Sequence, residues 1–331
     1  MFLGRLGSLN ALEQTRSSPT WHRWIGGDLP SADSIGRIAC GLDHDDLRAA
    51  NRHIYSRLKR IKALAAPWHG LIALVVDGHE SHSTYRRHCD GCLERTVVVK
   101  QGKEKVERVQ YYHRHVTAQL ITENFELLLD AEPQRAGEDE VATALRLLDR
   151  VLALYPRAFD VVIADALYVD SRFFNFAISR GKHALSVLKD ERRDLLRDAT
   201  ALFESTEPVS LPLGRKERSC WDLEGFTSWP QVNDPVRVVR SVETVSVARQ
   251  LSGKPEQRVS EWVWVTTLPS TLASTAAVVD IGHSRWAIEN QGFNETTNHW
   301  HGDHLYRHEA GAIRSFWLIC MIAFNVFHAF F

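Results

Sequence analysis

The sequence predicts an α/β fold: a mixed sheet flanked by helices, preceded by a helical region and interrupted by a β-rich insertion. Three observations predict it. Short apolar runs rich in branched residues end at an acid in LIALVVDG (71–78) and FDVVIADALY (159–168), which is how buried strands read. Between them GEDEVATALRLLDRVLALYP (137–156) has an acidic first turn and apolar Val141, Leu145, Leu148, Val151, Leu152 and Leu154 at helical spacing. From 206 to 268 alternating segments such as VRVVRSVETVSVA and EWVWVTTLP replace that texture, before helical spacing returns in HSRWAIENQGFN (283–294).

Bulk properties set the outer limits. A chain of 331 residues, 44% of them hydrophobic, can bury one large core or a core with a smaller module. With 40 basic and 41 acidic residues the net charge of −1 excludes a general argument from basicity, so any nucleic-acid contact must come from local patches. Five cysteines, scattered except for one CxxC, do not form a secreted disulfide framework and fit a reducing cytoplasm. The opening residues lack a continuous apolar core, and the most apolar stretch, 316–331, carries Asn325 and His328. It therefore reads as a buried core helix of a soluble protein, with no membrane span. Its end without a polar tail is the pattern of a chain cut short.

The elements follow in order. Ser31, Asp33 and Ser34 cap IGRIACGL, while Asp45 and Asp46 precede LRAANRHIYSRLKRIKAL, whose Leu47, Ile54, Leu58 and Ile61 recur at helical spacing. Two helices joined around Gly41 result. The second ends in Arg57, Lys59, Arg60 and Lys62, which suits phosphate contact, although a basic C-terminus is also what the helix macrodipole favours. After the strand at 71–78, ERTVVVK (94–100) and VQYYHRHVTAQLI (109–121) form a hairpin, giving an antiparallel meander. Residues 171–182 read as a helix and ALSVLK (184–189) as the fifth strand.

Asp77 and Asp165 close two apolar strands, where an acid is costly unless it lies on a site rim or has a partner. If the two strands are neighbours, both carboxylates leave the same edge of the sheet, and a helix acid packed there completes an oxygen cage for Mg²⁺ or Mn²⁺. Glu289 is that acid, with Arg285 one helical turn before it. Cleaving a phosphodiester needs an activated oxygen nucleophile and a stabilised leaving oxygen, and two metals about 3.5–4 Å apart serve both. The planar fork of Arg285 suits a phosphate. Taken singly, a strand-end Asp is commonly a turn residue and an Arg–Glu helix pair a surface pair; the order of the elements carries the case.

These blocks resemble the DDE transposases of bacterial insertion sequences, especially the insertion-sequence-4-like group. The matching pieces are VVDGHE (75–80), FDVVIADALY (159–168) with Tyr168 three residues after Asp165, and SRWAIENQGFN (284–294). The resemblance spans roughly 20–331 and implies an RNase H-like mixed five-stranded sheet carrying a β-rich insert, with Asp77, Asp165 and Glu289 as catalytic metal ligands. It implies DNA transposition by metal-dependent strand cleavage and transfer, with element terminal repeats and target DNA as partners and a homodimer on paired ends. The expected organisation is a helical region at 1–66 offering a DNA contact, a first core segment at 67–205, the insertion at 206–268, and a second core segment with the Glu helix at 269–331. Two positions depart from the family's signature: Gly282 stands where it has Tyr, and Thr296 and Thr297 where a Lys is expected. The alternatives are an inactive remnant that only binds DNA, or an RNase H-like nuclease without strand transfer.

Outside the triad, Cys89 and Cys92 precede the hairpin, whose second strand carries His113 and His115 on one face. A turn near Gly102–Lys103 sets Cys92 opposite one of these histidines, so a structural zinc on Cys89, Cys92 and His113 is geometrically feasible; reduced thiols and ordinary strand histidines are the bland alternative. Trp229, like Trp221, could stack on an unpaired base or pack the insertion's core. Lys189, Arg192, Arg193 and Arg197, and then Arg215, Lys216 and Arg218, are candidate DNA-backbone contacts or solvated charge runs.

Overall fold

The computed structural model describes residues 1–2, 4–86, 89–102, 104–189, 194–211, 217–248 and 255–330, with backbone only at 246–248 and 255–256. Along the chain run α1 (Leu9–Glu13), α2 (Pro19–Ile25), α3 (Ala32–Cys40), α4 (His44–Arg60), β1 (Ala73–Thr84), β2 (Leu93–Gln101), β3 (Glu104–Ile121) and β4 (Glu126–Pro133). There follow α5 (Glu140–Leu154), β5 (Val161–Ala164), α6 (Ser171–Ser179), β6 (His183–Val187), α7 (Asp194–Glu204), β7 (Val209–Ser210), β8 (Glu217–Phe226), β9 (Val236–Ala248) and β10 (Pro255–Thr266). Helix α8 (Thr275–Ser284), a π-helical segment (Ile288–Phe293), α9 (Asn294–Trp300) and α10 (Ala310–Phe330) complete it. The fold is mixed α/β, with a large mixed sheet flanked by helices.

Two compact units divide the chain: Met1–Ala65, Val76–Ala158 and Ala287–Phe331 form one, Ala66–Val75 and Phe159–Trp286 the other. Strand β1 starts in the second and continues into the first.

In the first unit β3 lies beside β1 and pairs antiparallel with β2 through its first half and with β4 through its second. The hairpin expected at 94–121 is present, with Gln101 opposite Glu104. The strand that extends the core, however, is β4, ELLLDAEP, which the pattern of apolar runs does not single out. Its Asp130 and Glu132 are buried and still tolerated because guanidinium groups meet them: Arg48 Nε and Arg150 Nε lie 3.1 and 2.6 Å from Asp130, and Arg146 and Arg150 reach Glu132 at 3.1 and 2.5 Å.

The same partners redraw α4. Its buried face is Arg48, Asn51, Tyr55 and Leu58, while Ile61 lies beyond the helix and is 69% exposed. Asn51 Nδ2 donates to the carbonyls of Leu128 and Leu129 at 2.8 and 2.9 Å, so polar positions occupy a face that an apolar count alone assigns elsewhere. Helix α10 packs on α3, α4 and β4. It is long and apolar enough to cross a membrane by length and composition. Its buried Asn325 accepts from Leu128 N at 2.9 Å and donates to Asn51 Oδ1 at 2.7 Å, which gives it the bonding of a core helix.

In the second unit β1 and β5 pair in parallel, as do β5 and β6, and β10 then joins β6 antiparallel, followed by β9, β8 and β7. The β-rich stretch thus prolongs the sheet through β6. Arg218, a candidate DNA-backbone contact or solvated charge by sequence, is 3% exposed and ion-paired to Glu243 and Asp280 at 3.2 and 3.0 Å.

Candidate active site

Asp77 follows four fully buried residues, Ala73–Val76, and is itself half-buried, its Oδ1 accepting from Gly78 N at 2.8 Å. The next position, Gly78, lies close against a buried acid. A Cβ on Gly78 would fall 2.4 Å from the carboxyl carbon of Glu140, a buried acid ion-paired with Arg114.

Two residues beyond Asp77, and so on the same face of β1, His79 stacks on Phe293 with ring centroids 4.6 Å apart and on Trp317 at 6.0 Å. Burial lowers the His79 pKa, with Asp303 opposing. Phe293 belongs to the π-helical segment that carries Glu289. That segment also approaches β3 at Gly292, where a Cβ would sit 2.4 Å from Oε1 of the fully buried Gln119. The half-buried Glu289 therefore rides on a segment held against β1 and β3 of its own unit. Sequence reasoning expected α-helical spacing here, but from Ile288 the turns widen to π geometry, a local form frequent at functional sites. His79, Phe293, Gly292 and Gln119 were missed as supports, because a single histidine and a single glycine carry no pattern of their own.

In the other unit β5 is four fully buried residues, and Asp165 caps the short 3₁₀ turn after it, its Oδ1 accepting from Leu167 N at 2.9 Å. The parallel register places Val75 opposite Ile163; Asp77 comes two residues after Val75 within β1, and Asp165 two residues after Ile163, just past the end of β5. Tyr168 is fully buried against Phe173, 5.1 Å between centroids.

Arg285 ends α8, 6% exposed, with its guanidinium 4.3 Å from the Trp286 ring centroid. Exposed Lys189 has its ammonium 5.8 Å from the centre of Trp262. Trp229 is half-buried and packs on Phe174 at 5.0 Å, while Trp221 donates from Nε1 to the Thr206 carbonyl at 2.9 Å. Arg197 is ion-paired with Asp194. Arg192, Arg193, Arg215 and Lys216 lie outside the described residues.

The cysteines and histidines of the first unit do meet. The β2–β3 register puts Leu93 opposite Tyr112, so the next position, Cys92, faces His113, and Cys89 closes a turn with Cys92 N donating to Cys89 O at 3.0 Å. The Sγ of Cys92 lies 3.2 Å from His113 Nε2 and that of Cys89 3.5 Å from it. A fourth residue, His308, brings Nε2 to 3.3 Å from both Cys92 Sγ and His113 Nε2. His115 is excluded, packed instead on Trp317 at 4.3 Å. Burial pushes the His113 pKa down to about 4, so the ring is neutral at pH 7 with a lone pair to offer. Among 16 histidines, nothing in the sequence distinguishes His308.

Residues 68–326 match the family described as the transposase DDE domain. The chain belongs to this transposase family. No curated protein matches it. Among solved structures, a match is a cryo-electron-microscopy structure of a piggyBac transposase synaptic complex with hairpin DNA, 10% identical with a TM-score of 0.39, over 82% of this chain and 52% of that one. The chain thus spans about half the length of that transposase.

The two departures from the DDE transposase signature have structural causes. Where the Lys is expected, Thr296 is fully buried inside the helix with its Oγ1 donating to the Gly292 carbonyl at 2.6 Å, and Thr297 is half-buried. At the Tyr position a Cβ on Gly282 would lie 2.4 Å from Nε1 of Trp264, which is 1% exposed. The indole fills the space of the missing phenol. Helix propensity alone predicts that Gly282→Ala stabilises by about 1 kcal/mol; the buried contact predicts the reverse. We expect overpacking to win with a net loss of about 1–3 kcal/mol, partly recovered in Gly282→Ala/Trp264→Phe. Urea denaturation of the three proteins measures it, and an unchanged or raised midpoint for Gly282→Ala refutes the steric account.

Proposed function

We propose that this transposase-family chain nicks DNA at the ends of an insertion sequence and joins the freed 3′-hydroxyl to target DNA, with Asp77, Asp165 and Glu289 holding Mg²⁺ or Mn²⁺. The observation that carries the reading is the packing of the Glu289 segment, through Phe293 on His79, against the face of β1 that also bears Asp77. What supports Asp165 as the third member is that Val75 and Ile163, each two residues before its aspartate, are paired in parallel register.

Three carboxylates are hard oxygen donors of the kind that suit Mg²⁺ or Mn²⁺, and the chain offers them at strand ends and on a helix, where they are half-buried rather than sealed in. When bound, such ions activate the attacking oxygen and stabilise the leaving one. The protein's own residues do the rest. Asp165 is fixed by the bond its Oδ1 accepts from Leu167 N. Exposed Lys189 supplies a charge for the DNA backbone, and Arg285, 6% exposed with its guanidinium over the Trp286 ring, is the second candidate for a phosphate. Trp229, held by Phe174, serves as packing before it serves any base. Two copies on paired ends would form the working complex.

Incubating the protein with labelled element ends, Mg²⁺ or Mn²⁺ and a target plasmid tests this. Metal-dependent nicking followed by covalent joining is expected. Binding without nicking identifies an inactive remnant, the reading that buried Thr296 favours, and nicking without joining identifies a nuclease.

A further inference from the structure

We propose that Cys89, Cys92, His113 and His308 form a closed zinc site that fastens the segment before α10 to the β2–β3 hairpin. Their four ligand atoms all lie within 4.8 Å of one another. The individual distances are those a metal needs. With sulfur at about 2.3 Å and nitrogen at about 2.0–2.1 Å, tetrahedral zinc requires S–S, N–N and S–N separations of about 3.8, 3.3 and 3.6 Å. Here the two sulfurs are 3.9 Å apart, the two Nε2 atoms 3.3 Å, and the sulfur–nitrogen pairs 3.2, 3.3 and 3.5 Å. Two imidazole nitrogens this close, each facing thiol sulfur, converge on one point that a cation would occupy.

The surroundings fit a metal knuckle. Cys89 N donates to Cys92 Sγ at 3.2 Å, a bond that stabilises a thiolate. Between the cysteines Gly91 lets Ala310 approach; a Cβ there would lie 2.7 Å from the Ala310 Cβ. The start of α10 is thereby seated on the turn that carries the ligands. A disulfide is a poor rival, because its sulfurs must approach to about 2.05 Å. Two thiolates with two imidazoles select zinc over Mg²⁺, and four protein ligands leave no open position, so the role is structural. The link joins Cys92 to a histidine 216 residues away, a closure that removes much freedom from the unfolded chain. The segment from Ile288 to His308 is then held at one end by Phe293 on His79 and at the other by the metal.

Elemental analysis of the purified full chain should find about one zinc per molecule, and Cys92→Ser and His308→Ala should each reduce it to background. Because either variant could fail to fold, the parent supplies an independent test: after chelation and cobalt addition it should show the visible spectrum of tetrahedral cobalt with thiolate charge transfer. Chelation should also lower its melting temperature, with recovery on adding zinc. A parent with neither zinc nor a cobalt spectrum overturns the site. Full zinc retention in His308→Ala overturns the four-ligand assignment, and a melting temperature indifferent to chelation overturns the fastening role.

Discussion

Asp165→Asn is expected to abolish metal-dependent nicking, by about 10³-fold or more, while the protein stays folded and still binds DNA. Metal ions contribute several kcal/mol of charge stabilisation in phosphoryl transfer, and about 4 kcal/mol is about 10³ in rate. Replacing one carboxylate oxygen by an amide removes a ligand charge and leaves the shape nearly unchanged. The local structure should tolerate it, because the bond that Asp165 Oδ1 accepts from Leu167 N can be accepted as well by an Asn oxygen, and Asn and Asp cap about equally. On the proposed reading DNA is held by phosphate contacts from residues such as Lys189 and Arg285, which the substitution leaves alone. The paired measurement is nicking of a labelled element end and melting with and without Mn²⁺, for parent and variant. Normal cleavage by the variant would remove Asp165 from the site. A rise in melting temperature on adding Mn²⁺ that is equal in both proteins would do so too, since a lost ligand must weaken metal linkage.

The strand-end acids were legible because continuous apolar runs such as LIALVV at 71–76 and VVIA at 161–164 announce buried strands, and an acid at the end of one is chemically conspicuous. The amphipathic helix at α5 and the β-rich stretch before α8 were legible for the same reason, as clean periods of 3.6 and 2. What stayed hidden depends on partners distant in sequence. Strand β4 reads poorly because Asp130 and Glu132 belong on a surface until Arg48, Arg146 and Arg150 are brought to them. Arg48 and Asn51 reverse the apparent face of α4 by the same logic. The cysteine pair named its own hairpin histidine through strand register, but His308 arrives from a loop and obeys no spacing rule. The glycine at 282 is explained only by Trp264, distant in sequence, which occupies the space a larger side chain would need.

The ion network under β4 yields the largest stability effect. Asp130→Ala should destabilise the first unit by about 3–5 kcal/mol, the cost of breaking a buried ion pair by removing one partner. Asp130 is fully buried, accepts from Arg48 Nε at 3.1 Å and Arg150 Nε at 2.6 Å, and also accepts from Ala131 N at 2.8 Å. Without it Arg48, itself 7% exposed, keeps its charge in the interior. Its remaining carboxylate, Asp45 at 2.8 Å, has a side chain 84% exposed and compensates weakly. Arg150 suffers less, since Glu132 still reaches it at 2.5 Å. Asp130→Asn should therefore fall between parent and Ala, because an amide oxygen can accept one of these bonds but cannot neutralise a guanidinium. The decisive comparison adds Arg48→Met to Asp130→Leu: if the cost comes from stranded charge, the double variant should recover much of the stability that Asp130→Leu alone loses. Urea denaturation followed by far-ultraviolet circular dichroism measures all four. A double variant no more stable than Asp130→Leu would mean that the carboxylate is needed for shape and backbone bonding at β4, and the charge account would fall.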